Sequence, residues 1–351
     1  MKKSRGRAGA RRVKVNGGSD MNITILGAGS FGTAMAVHLA SLGNEALMWT
    51  IDESQAKAIT ETRRNNFCFR ETELPRSVNC TTDLDAALNF SDRYIMAIPT
   101  QFVREVCEKV AARGEREGHI LNLAKGIEIS TGDLLHKVYA ECCPFLKYSA
   151  LSGPSHAEEV LVGRPTTVAL ASTDEDEAKG WQEIVSGNNF RVYTGTDVIG
   201  LEVGGATKNI YAVAAGIAKA LDLGDNAMAA LASRGLAEIM RFGAKLGASP
   251  LTLSGLAGVG DLIVTCYSMF SRNFRLGLAI GNGMSFEEAV ESLGQVAEGA
   301  YTVRAVVENS KKFGVEMPIA EAVYRVLYKG ERPQELIKEL FARPLKPEMR
   351  L

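Results

Sequence analysis

The stretch Ile23–Gly43, ITILGAGSFGTAMAVHLASLG, places three glycines between an apolar run and a segment with helical spacing. Gly27, Gly29 and Gly32 match G-x-G-x-x-G, in which the first glycine permits a tight turn, the second admits a pyrophosphate and the third lets the helix pack on the sheet. The N–H groups and the dipole at the start of the following helix attract an anion. Because the motif lies between a predicted strand and an Ala-rich helix, it indicates a dinucleotide site rather than a glycine turn without a ligand.

Outward from this motif, short apolar runs alternate with helical segments up to residue 196. The runs are continuously apolar, which is typical of strands buried on both faces of a parallel sheet. From residue 197 the chain is Ala- and Leu-rich with helical spacing. We therefore predict an α/β fold: a Rossmann-type, doubly wound, mostly parallel sheet over residues 21–196, then an all-helical domain over residues 197–345 and a tail of residues 346–351. The predicted strands are Ile23–Leu26, Ala46–Trp49, Tyr94–Ile98, Ile120–Ala124, Ser149–Leu151, Thr167–Leu170 and Arg191–Tyr193.

The composition is that of a globular protein of about two domains, with 351 residues of which 46% are hydrophobic and 23% charged. The chain has no long uninterrupted apolar stretch, so we predict no membrane span. Its six cysteines include no C-x-x-C pair, which indicates reduced thiols in a cytoplasmic protein. His38, His119 and His136 have no second ligand at metal spacing, and we predict no metal site.

Residues 1–20 are strongly basic, with seven lysines and arginines against the single acid Asp20. They have neither the apolar core of a signal peptide nor a hydrophobic face, so we predict a disordered basic extension. A solvated tail, with Met21 as an alternative start, is the favoured interpretation, and a nucleic-acid partner is not expected.

The choice between NAD and NADP depends on the residues that follow the second predicted strand. Asp52 lies 20 residues after Gly32, where an acid would bond the ribose 2′-OH of NAD. Ser54 would instead be able to receive the 2′-phosphate of NADP. The preference stays open at this point.

Lys208 and an adjacent asparagine interrupt the small, apolar segment EVGGATKNIYAVAAG, Glu202–Gly216. A lysine buried there needs a charged or hydrogen-bonding partner or a catalytic role. Burial lowers its pKa toward the working pH, which suits proton exchange with a hydroxyl or carbonyl. Asp261 would hold it in place by charge. The alternative is a lysine at a helix end whose tip reaches solvent.

A second polar cluster lies in GLAGVGDLIVTCYSMFSRNFRLG, Gly255–Gly277. It combines Thr265 with Ser271, Arg272 and Asn273, and an arginine beside hydroxyl and amide donors suits a phosphate. Taken alone, the S-R-N triplet is also what a helix cap followed by a surface arginine looks like.

A third set of polar and small residues follows predicted strands, at the sheet edge where ligands collect in α/β folds. Lys125 lies in LAKGIE, and Gly153, Ser155 and Ala157 lie in LSGPSHAEEV. His156 is a weaker candidate for a general base, because a histidine in a Gly-Pro turn is more often a local hydrogen-bonding residue.

Together, motifs such as GAGSFGTA, LAKGIE, SGPSHAEE, GLAGVGDLIVTC and SRNFRLG occur in an order that resembles the NAD(P)-dependent glycerol-3-phosphate dehydrogenases of the bacterial type. The resemblance runs from about Met21 to about Arg343. It implies a Rossmann domain followed by a helical domain, assembled as a homodimer. The implied reaction interconverts dihydroxyacetone phosphate and sn-glycerol 3-phosphate for phospholipid synthesis, with NAD or NADP as cofactor and a small phosphorylated molecule as substrate.

The same resemblance implies roles for individual residues. Lys208 is the proton donor and acceptor, with Asp261 and Thr265 beside it at the reacting centre. The implied substrate contacts are Lys125, Gly153, Ser155, Lys208, Asp261, Ser271, Arg272 and Asn273. The implied cofactor contacts are Ser30, Phe31, Lys125, Ala157, Arg272, Val296 and Glu298, which join Gly27, Gly29, Gly32 and Asp52.

Two other functions share parts of this pattern. A 3-hydroxyacid dehydrogenase has the same two-domain plan and a helix-borne lysine but binds a carboxylate, and a non-catalytic dinucleotide sensor needs only the cofactor site. Arg272 speaks against the first, and the joint presence of Lys208, Asp261 and Thr265 speaks against the second. One departure from the family is that Thr50 and Ile51 stand where a basic residue is common, which argues against a strong NADP preference.

Overall fold

The first domain is built on one eight-stranded sheet. The structure is a computed structural model that describes residues 21–187, 189–294, 296–345 and 347–348, so the predicted basic extension and most of the predicted tail lie outside the described residues. The strands are β1 Asn22–Leu26, β2 Glu45–Trp49, β3 Val78–Thr81, β4 Arg93–Met96, β5 Gly118–Asn122, β6 Leu146–Ser152, β7 Thr166–Ala171 and β8 Phe190–Gly195.

The strand order is β3-β2-β1-β4-β5-β6-β7-β8, and neighbouring strands are parallel except for the antiparallel pair β6 and β7. This arrangement confirms the predicted doubly wound, mostly parallel sheet. β1 lies at the point where the order reverses, and Leu26 pairs with both Trp49 and Met96. The carboxyl ends of the three strands therefore meet, which places the residues that follow them around one crevice.

The sheet is covered on both faces, which explains its continuous apolar runs. Ile25 packs in one cluster with Met35 of the helix that follows β1. Its neighbour Leu26 points to the other face and packs in a cluster with Val103 and Val106.

β3 is a strand that the sequence patterns did not predict. It is an edge strand, and its four residues alternate between buried and more exposed positions, beginning with the fully buried Val78. Only two of the four residues face the core, so the segment lacks the apolar run that marked the other strands.

Helices fill the connections of the first domain and form the whole of the second. Those of the first domain are α1 Ser30–Ser41, α2 Glu53–Lys57, α3 Leu84–Phe90, α4 Val103–Ala111, α5 Leu135–Cys142, α6 Ala157–Leu161 and α7 Glu175–Val185. Those of the second are α8 Val198–Ala220, α9 Gly224–Leu246, α10 Pro250–Leu253, α11 Asp261–Tyr267, α12 Arg272–Gly281, α13 Phe286–Leu293, α14 Glu298–Phe313, α15 Pro318–Lys329 and α16 Pro333–Phe341.

The central element of the second domain is α8, which is buried along almost its whole length. It packs against α9, α11, α12 and α14. The helices α8 and α12 approach each other so closely that a Cβ atom added at Gly216 would collide with the carbonyl oxygen of Phe274, and one at Gly277 with that of Val213. Glycines at these two crossing positions let the backbones touch.

α8 is also joined to the sheet by the buried carboxylate of Glu202. It accepts hydrogen bonds from the backbone N–H of His136 (2.9 Å) and from the hydroxyl of Tyr148 (2.5 Å), and it contacts the His136 ring at 2.6 Å. The helix that contains Lys208 is thereby held against α5 and β6.

By length and composition, the helical stretch Pro250–Tyr267 could cross a membrane, with a mean hydropathy of 1.3 and 39% of its residues buried in the fold. A core helix passes the same test. In the fold this stretch consists of α10, a turn of π-helix over Leu256–Gly260 and α11.

Candidate active site

The glycine motif forms the turn between β1 and α1. Gly27 has a φ of +121°, which L side chains rarely adopt, and its N–H donates to the carbonyl of Trp49 at 2.9 Å. A Cβ atom at Gly32 would collide with the carbonyl oxygen of Gly27, so a larger residue there would push α1 off the turn. The geometry explains the first and third glycines in the motif.

The start of α1 is open to an anion. Gly29 is its N-cap and has no side chain to bond the first N–H groups of the helix, and Ser30 and Phe31 lie partly exposed in its first turn. Unsatisfied N–H groups at a helix start favour a phosphate. The turn therefore fits the pyrophosphate of a dinucleotide, and Asp52 lies beyond the end of neighbouring β2, as the N-cap of α2.

Lys208 lies at the centre of the candidate site and is only 7% exposed. Its Nζ donates to Asp261 Oδ1 and, at 2.8 Å, to Thr265 Oγ1. Asp261 and Thr265 are buried one turn apart on α11, and the Thr265 hydroxyl donates to the carbonyl of Asp261 at 2.5 Å. Of the three N–H bonds of the ammonium, two thus have acceptors within the described residues, and the third is available to a ligand.

A second lysine reaches the same carboxylate from the first domain. Lys125, on the loop after β5, donates to Asp261 Oδ2 at 2.8 Å and to the carbonyl of Gly153 at 3.0 Å. Asp261 also lies within 3.4 Å of the N–H of Gly153. One buried carboxylate therefore joins α8, α11 and the loops after β5 and β6.

The charges in this cluster shift one another's pKa values. Burial lowers the pKa of Lys208 to about 8, and the charge of Asp261 opposes this shift. Burial would raise the pKa of Asp261, but the charges of Lys125 and Lys208 outweigh it and hold that pKa below its ordinary value. The site thus pairs an ionised carboxylate with a lysine that exchanges its proton near neutral pH.

The S-R-N triplet begins a helix. Ser271 is the N-cap of α12 and accepts the N–H of Phe274 at 3.1 Å, and Arg272, the first residue of the helix, is exposed. The Asn273 side chain is engaged inside the protein: its amide donates to Asn209 at 2.9 Å, and its oxygen accepts the N–H of Gly299 at 2.8 Å. What Asn273 can offer an anion is its backbone N–H at the helix start.

The other predicted site residues lie on loops at the same edge of the sheet. Ser155 donates to the carbonyl of Gly153 at 3.0 Å, and Ala157 begins α6. His156 is the N-cap residue of α6, and its Nε2 is buried without a hydrogen-bond partner in the described part of the chain. Burial lowers the pKa of His156, so its ring is neutral at neutral pH.

Glu298 brings the second domain to the carboxyl end of β4. It begins α14, and its Oε1 accepts the N–H of Thr100 at 3.0 Å. Its Oε2 is buried and has no partner among the described residues. Val296, two residues earlier, is partly buried.

Three residues at the site were not among the predicted contacts: Thr100, Ser152 and Asn209, the asparagine noted beside Lys208. Ser152 Oγ donates to Asp261 at 3.3 Å, and Asn209 joins Asn273 as described above. Asn209 had a detectable signal, because it is a polar residue in an apolar helix beside Lys208. Thr100 and Ser152 had none, since only the fold places them near Glu298 and Asp261.

The arrangement combines a dinucleotide turn, a buried proton donor and an exposed arginine at a helix start. No group of three His, Cys, Asp or Glu side chains suited to a metal ion is found in the described ranges. The chemistry that these groups support is proton exchange at an oxygen next to a bound dinucleotide, with an anionic group held at α12.

Comparisons with known proteins cover both domains. The family model described as NAD-dependent glycerol-3-phosphate dehydrogenase N-terminus matches residues 22–178, and the corresponding C-terminus model matches residues 197–338. The chain is 43% identical over 330 residues to a glycerol-3-phosphate dehydrogenase (NAD(P)+) of Lysinibacillus sphaericus, covering 93% of this chain and 98% of the relative. It is 46% identical over 331 residues to a Salinibacter ruber enzyme of the same name, covering 93% and 97%.

A solved structure agrees with these relatives. The crystal structure of glycerol-3-phosphate dehydrogenase from Coxiella burnetii superposes with a TM-score of 0.89 at 37% identity, covering 92% of this chain and 99% of that one.

The Asp261 carboxylate should be required for stability, because it is the acceptor for two ammonium groups and is itself 1% exposed. We expect Asp261→Asn to lower the free energy of unfolding by about 3 kcal/mol or more, since Lys208 then keeps a buried charge without its counter-ion. Urea unfolding at pH 7 measures the change.

The matched control is Asp85→Asn. Asp85 pairs with Arg113 at 2.7 Å, but the two side chains are 64% and 34% exposed, so its loss should cost less than about 1 kcal/mol. Equal losses in the two variants would contradict the stabilising role of Asp261.

Proposed function

The chain belongs to the family of NAD-dependent glycerol-3-phosphate dehydrogenases, and from this premise we propose that Lys208 exchanges the proton at the reacting oxygen of dihydroxyacetone phosphate. The protein is an NAD(P)-dependent oxidoreductase. The reaction interconverts dihydroxyacetone phosphate and sn-glycerol 3-phosphate, which supplies phospholipid synthesis. The observation that supports the role of Lys208 most strongly is its burial between Asp261 and Thr265 with a pKa of about 8.

The cofactor is held by the glycine turn, Ser30, Phe31 and the start of α1, with Lys125, Ala157, Arg272, Val296 and Glu298 as further proposed contacts. When bound, the nicotinamide supplies or accepts the hydride. The glycine turn fits this group because its backbone is open to a pyrophosphate.

In the reducing direction, the ammonium of Lys208 donates a proton to the carbonyl oxygen of the substrate as that oxygen gains negative charge. Asp261 orients the ammonium and remains ionised, and Thr265 holds a second N–H. The remaining N–H then points away from both acceptors, toward the substrate oxygen. In the oxidising direction, the neutral amine accepts the hydroxyl proton.

The substrate phosphate is bound at the start of α12. Arg272 offers two parallel N–H donors, and the backbone N–H groups of Arg272 and Asn273 add the helix-start contribution. Lys125, Gly153, Ser155 and Ser271 complete the proposed substrate contacts. Binding the phosphate at a distance from the reacting carbon orients the carbonyl, and such orientation lowers the barrier.

The two alternative functions have weaker support. The family models that match both domains belong to glycerol-3-phosphate dehydrogenases rather than to 3-hydroxyacid dehydrogenases. A sensor without catalysis would have no use for Lys208, whose burial is costly.

We expect the rate of ketone reduction to depend on the protonation of Lys208. Because its pKa is about 8, kcat/KM should be constant below that pH and should fall about tenfold per pH unit above it. In the oxidising direction, the requirement for the neutral amine reverses the sign, and kcat/KM should rise to a plateau above the same pH. Initial rates with dihydroxyacetone phosphate and with sn-glycerol 3-phosphate test this.

Two variants assign the titration. Lys208→Ala should lower turnover by about 10²–10⁴-fold while leaving the fluorescence-detected affinity for NADH intact. His156→Gln should leave the alkaline fall in place, because the buried ring is already neutral there. An alkaline fall that disappears in His156→Gln would refute the assignment to Lys208.

Arg272 should distinguish phosphorylated from unphosphorylated substrate. We expect Arg272→Ala to lower kcat/KM for dihydroxyacetone phosphate by about 10²-fold or more, with much less effect on free dihydroxyacetone. Arg272→Lys keeps the charge without the paired donors, so its kcat/KM for dihydroxyacetone phosphate should lie between those of the unchanged protein and of Arg272→Ala. Equal losses on both substrates would show that Arg272 does not bind the phosphate.

We further propose that the enzyme is a homodimer in the cytoplasm. The resemblance to the family supports the dimer, and six unpaired cysteines are typical of a reducing compartment. Light scattering of the purified chain should give about twice the mass of 37.8 kDa, and a monomeric mass at micromolar concentration would contradict the proposal.

A further inference from the structure

The residues between β2 and α2 lie beside the glycine turn and are held there by a polar network. The amide of Gln55 donates to the carbonyl of Ala28 at 2.7 Å, and its oxygen accepts the Thr50 hydroxyl at 2.7 Å. Asn65, which is fully buried, donates to the same Ala28 carbonyl at 2.9 Å. The segment that follows β2 is thus attached to the turn that binds the pyrophosphate.

Within this segment, Asp52 has a defined position and charge. Its Oδ1 accepts the N–H of Gln55 at 2.9 Å and the hydroxyl of Ser54 at 2.8 Å. These hydrogen bonds hold the pKa of Asp52 below its ordinary value, so the carboxylate is ionised at neutral pH. Asp52 is partly exposed, and a carboxylate has about four acceptor sites, so it can accept a further hydroxyl.

The same hydrogen bond removes the main alternative, in which Ser54 binds a 2′-phosphate. The Ser54 hydroxyl already donates its only hydrogen to Asp52. Glu53, which follows Asp52, is exposed and adds a second negative charge. Ile51, which precedes Asp52, is 82% exposed and carries no charge.

The arginines that follow α2 are engaged elsewhere. Arg63 donates to the carbonyls of Pro75 and Val78. Arg64 contacts Glu71 and donates to the carbonyl of Arg70. Arg70 itself donates to the carbonyl of Asn66. Within residues 53–76, the remaining basic side chains are those of Lys57, at the opposite end of α2 from Asp52, and of Arg76, two residues before β3. Within the described residues, these arginines thus make their hydrogen bonds and ion pair with groups other than Asp52 and Glu53.

We infer that this chain discriminates against NADP(H) and uses NAD(H), with Asp52 as the residue that determines the choice. The inference rests on the proposed function only in taking the glycine turn as the cofactor site. The Asp52 carboxylate accepts the ribose 2′-OH of NAD(H). A 2′-phosphate, with a charge of nearly −2 at neutral pH, would instead meet the negative charges of Asp52 and Glu53.

Direct binding to the full-length protein tests the inference. Titration of NADH and NADPH, followed by nucleotide fluorescence, should give a Kd for NADPH that is about tenfold or more above that for NADH in low salt. The difference should shrink as the ionic strength rises from about 0.02 to about 0.5 M, because salt screens the repulsion. Equal affinities, a tighter NADPH complex, or no binding of either nucleotide would overturn the inference.

Two single variants locate the effect. Asn caps a helix as well as Asp does, so Asp52→Asn keeps the start of α2 and removes the charge. It should tighten NADPH binding and weaken NADH binding, bringing the two Kd values within about threefold. Glu53→Gln removes a neighbouring charge but not the proposed ribose contact, and should leave most of the difference between the Kd values for NADH and NADPH. A difference that persists in Asp52→Asn, or that closes equally in Glu53→Gln, would overturn the role of Asp52.

Turnover separates this inference from the proposed reaction. If NADH binds tightly and is discriminated as described but is not oxidised by dihydroxyacetone phosphate, the proposed substrate is wrong and the cofactor inference stands. If dihydroxyacetone phosphate is reduced equally well with either nucleotide, the reaction stands and the cofactor inference fails.

Discussion

Asp261 accepts hydrogen bonds from two lysines that come from different domains, Lys208 on α8 and Lys125 on the loop after β5. A buried ammonium is tolerated only near a counter-ion, so the position of Asp261 decides where both lysines can lie. Because the carboxylate also approaches the N–H of Gly153, the loop after β6 is tied to the same point. The crevice between the sheet and the helices thus has one charged centre, and the pKa values of Lys208 and Asp261 follow from this packing.

The helix α8, which contains Lys208, can lie close to Asp261 because glycines precede the lysine. A Cβ atom at Gly204 would collide with the carbonyl oxygen of Ala257, and one at Gly205 would press on the hydroxyl of Ser152. The glycines just before Lys208 therefore let α8 lie against both the chain that leads into α11 and the end of β6. The same closeness removes water from the ammonium, which lowers its pKa. The close packing of α8 therefore also sets the pKa of Lys208.

The fold was predictable where one rule of local physics dominated. Continuous apolar runs indicated the buried strands, and the glycine motif located the turn after β1. β3 was missed because an edge strand buries only alternate residues, beginning with Val78. Within the site, Lys208 was visible as a polar residue in an apolar segment and Arg272 as an arginine beside hydroxyl and amide donors, whereas Thr100 was not. Its backbone N–H binds Glu298, which lies 198 residues further along the chain, and no local pattern records such a contact.

The sequence alone determined the class of fold and the position of the glycine turn, and it singled out Lys208, because each depends on residue type and spacing within one or two neighbouring elements. Only the tertiary structure decided how the polar side chains are used. Asn273 turns inward to Asn209 and Gly299, so only its backbone N–H is left for an anion. Asp52 caps α2 and accepts the Ser54 hydroxyl, so that hydroxyl is not available to a ligand. Both outcomes depend on partners that other parts of the fold bring within hydrogen-bond distance, and a hydrogen bond formed inside the protein is no longer available to a ligand.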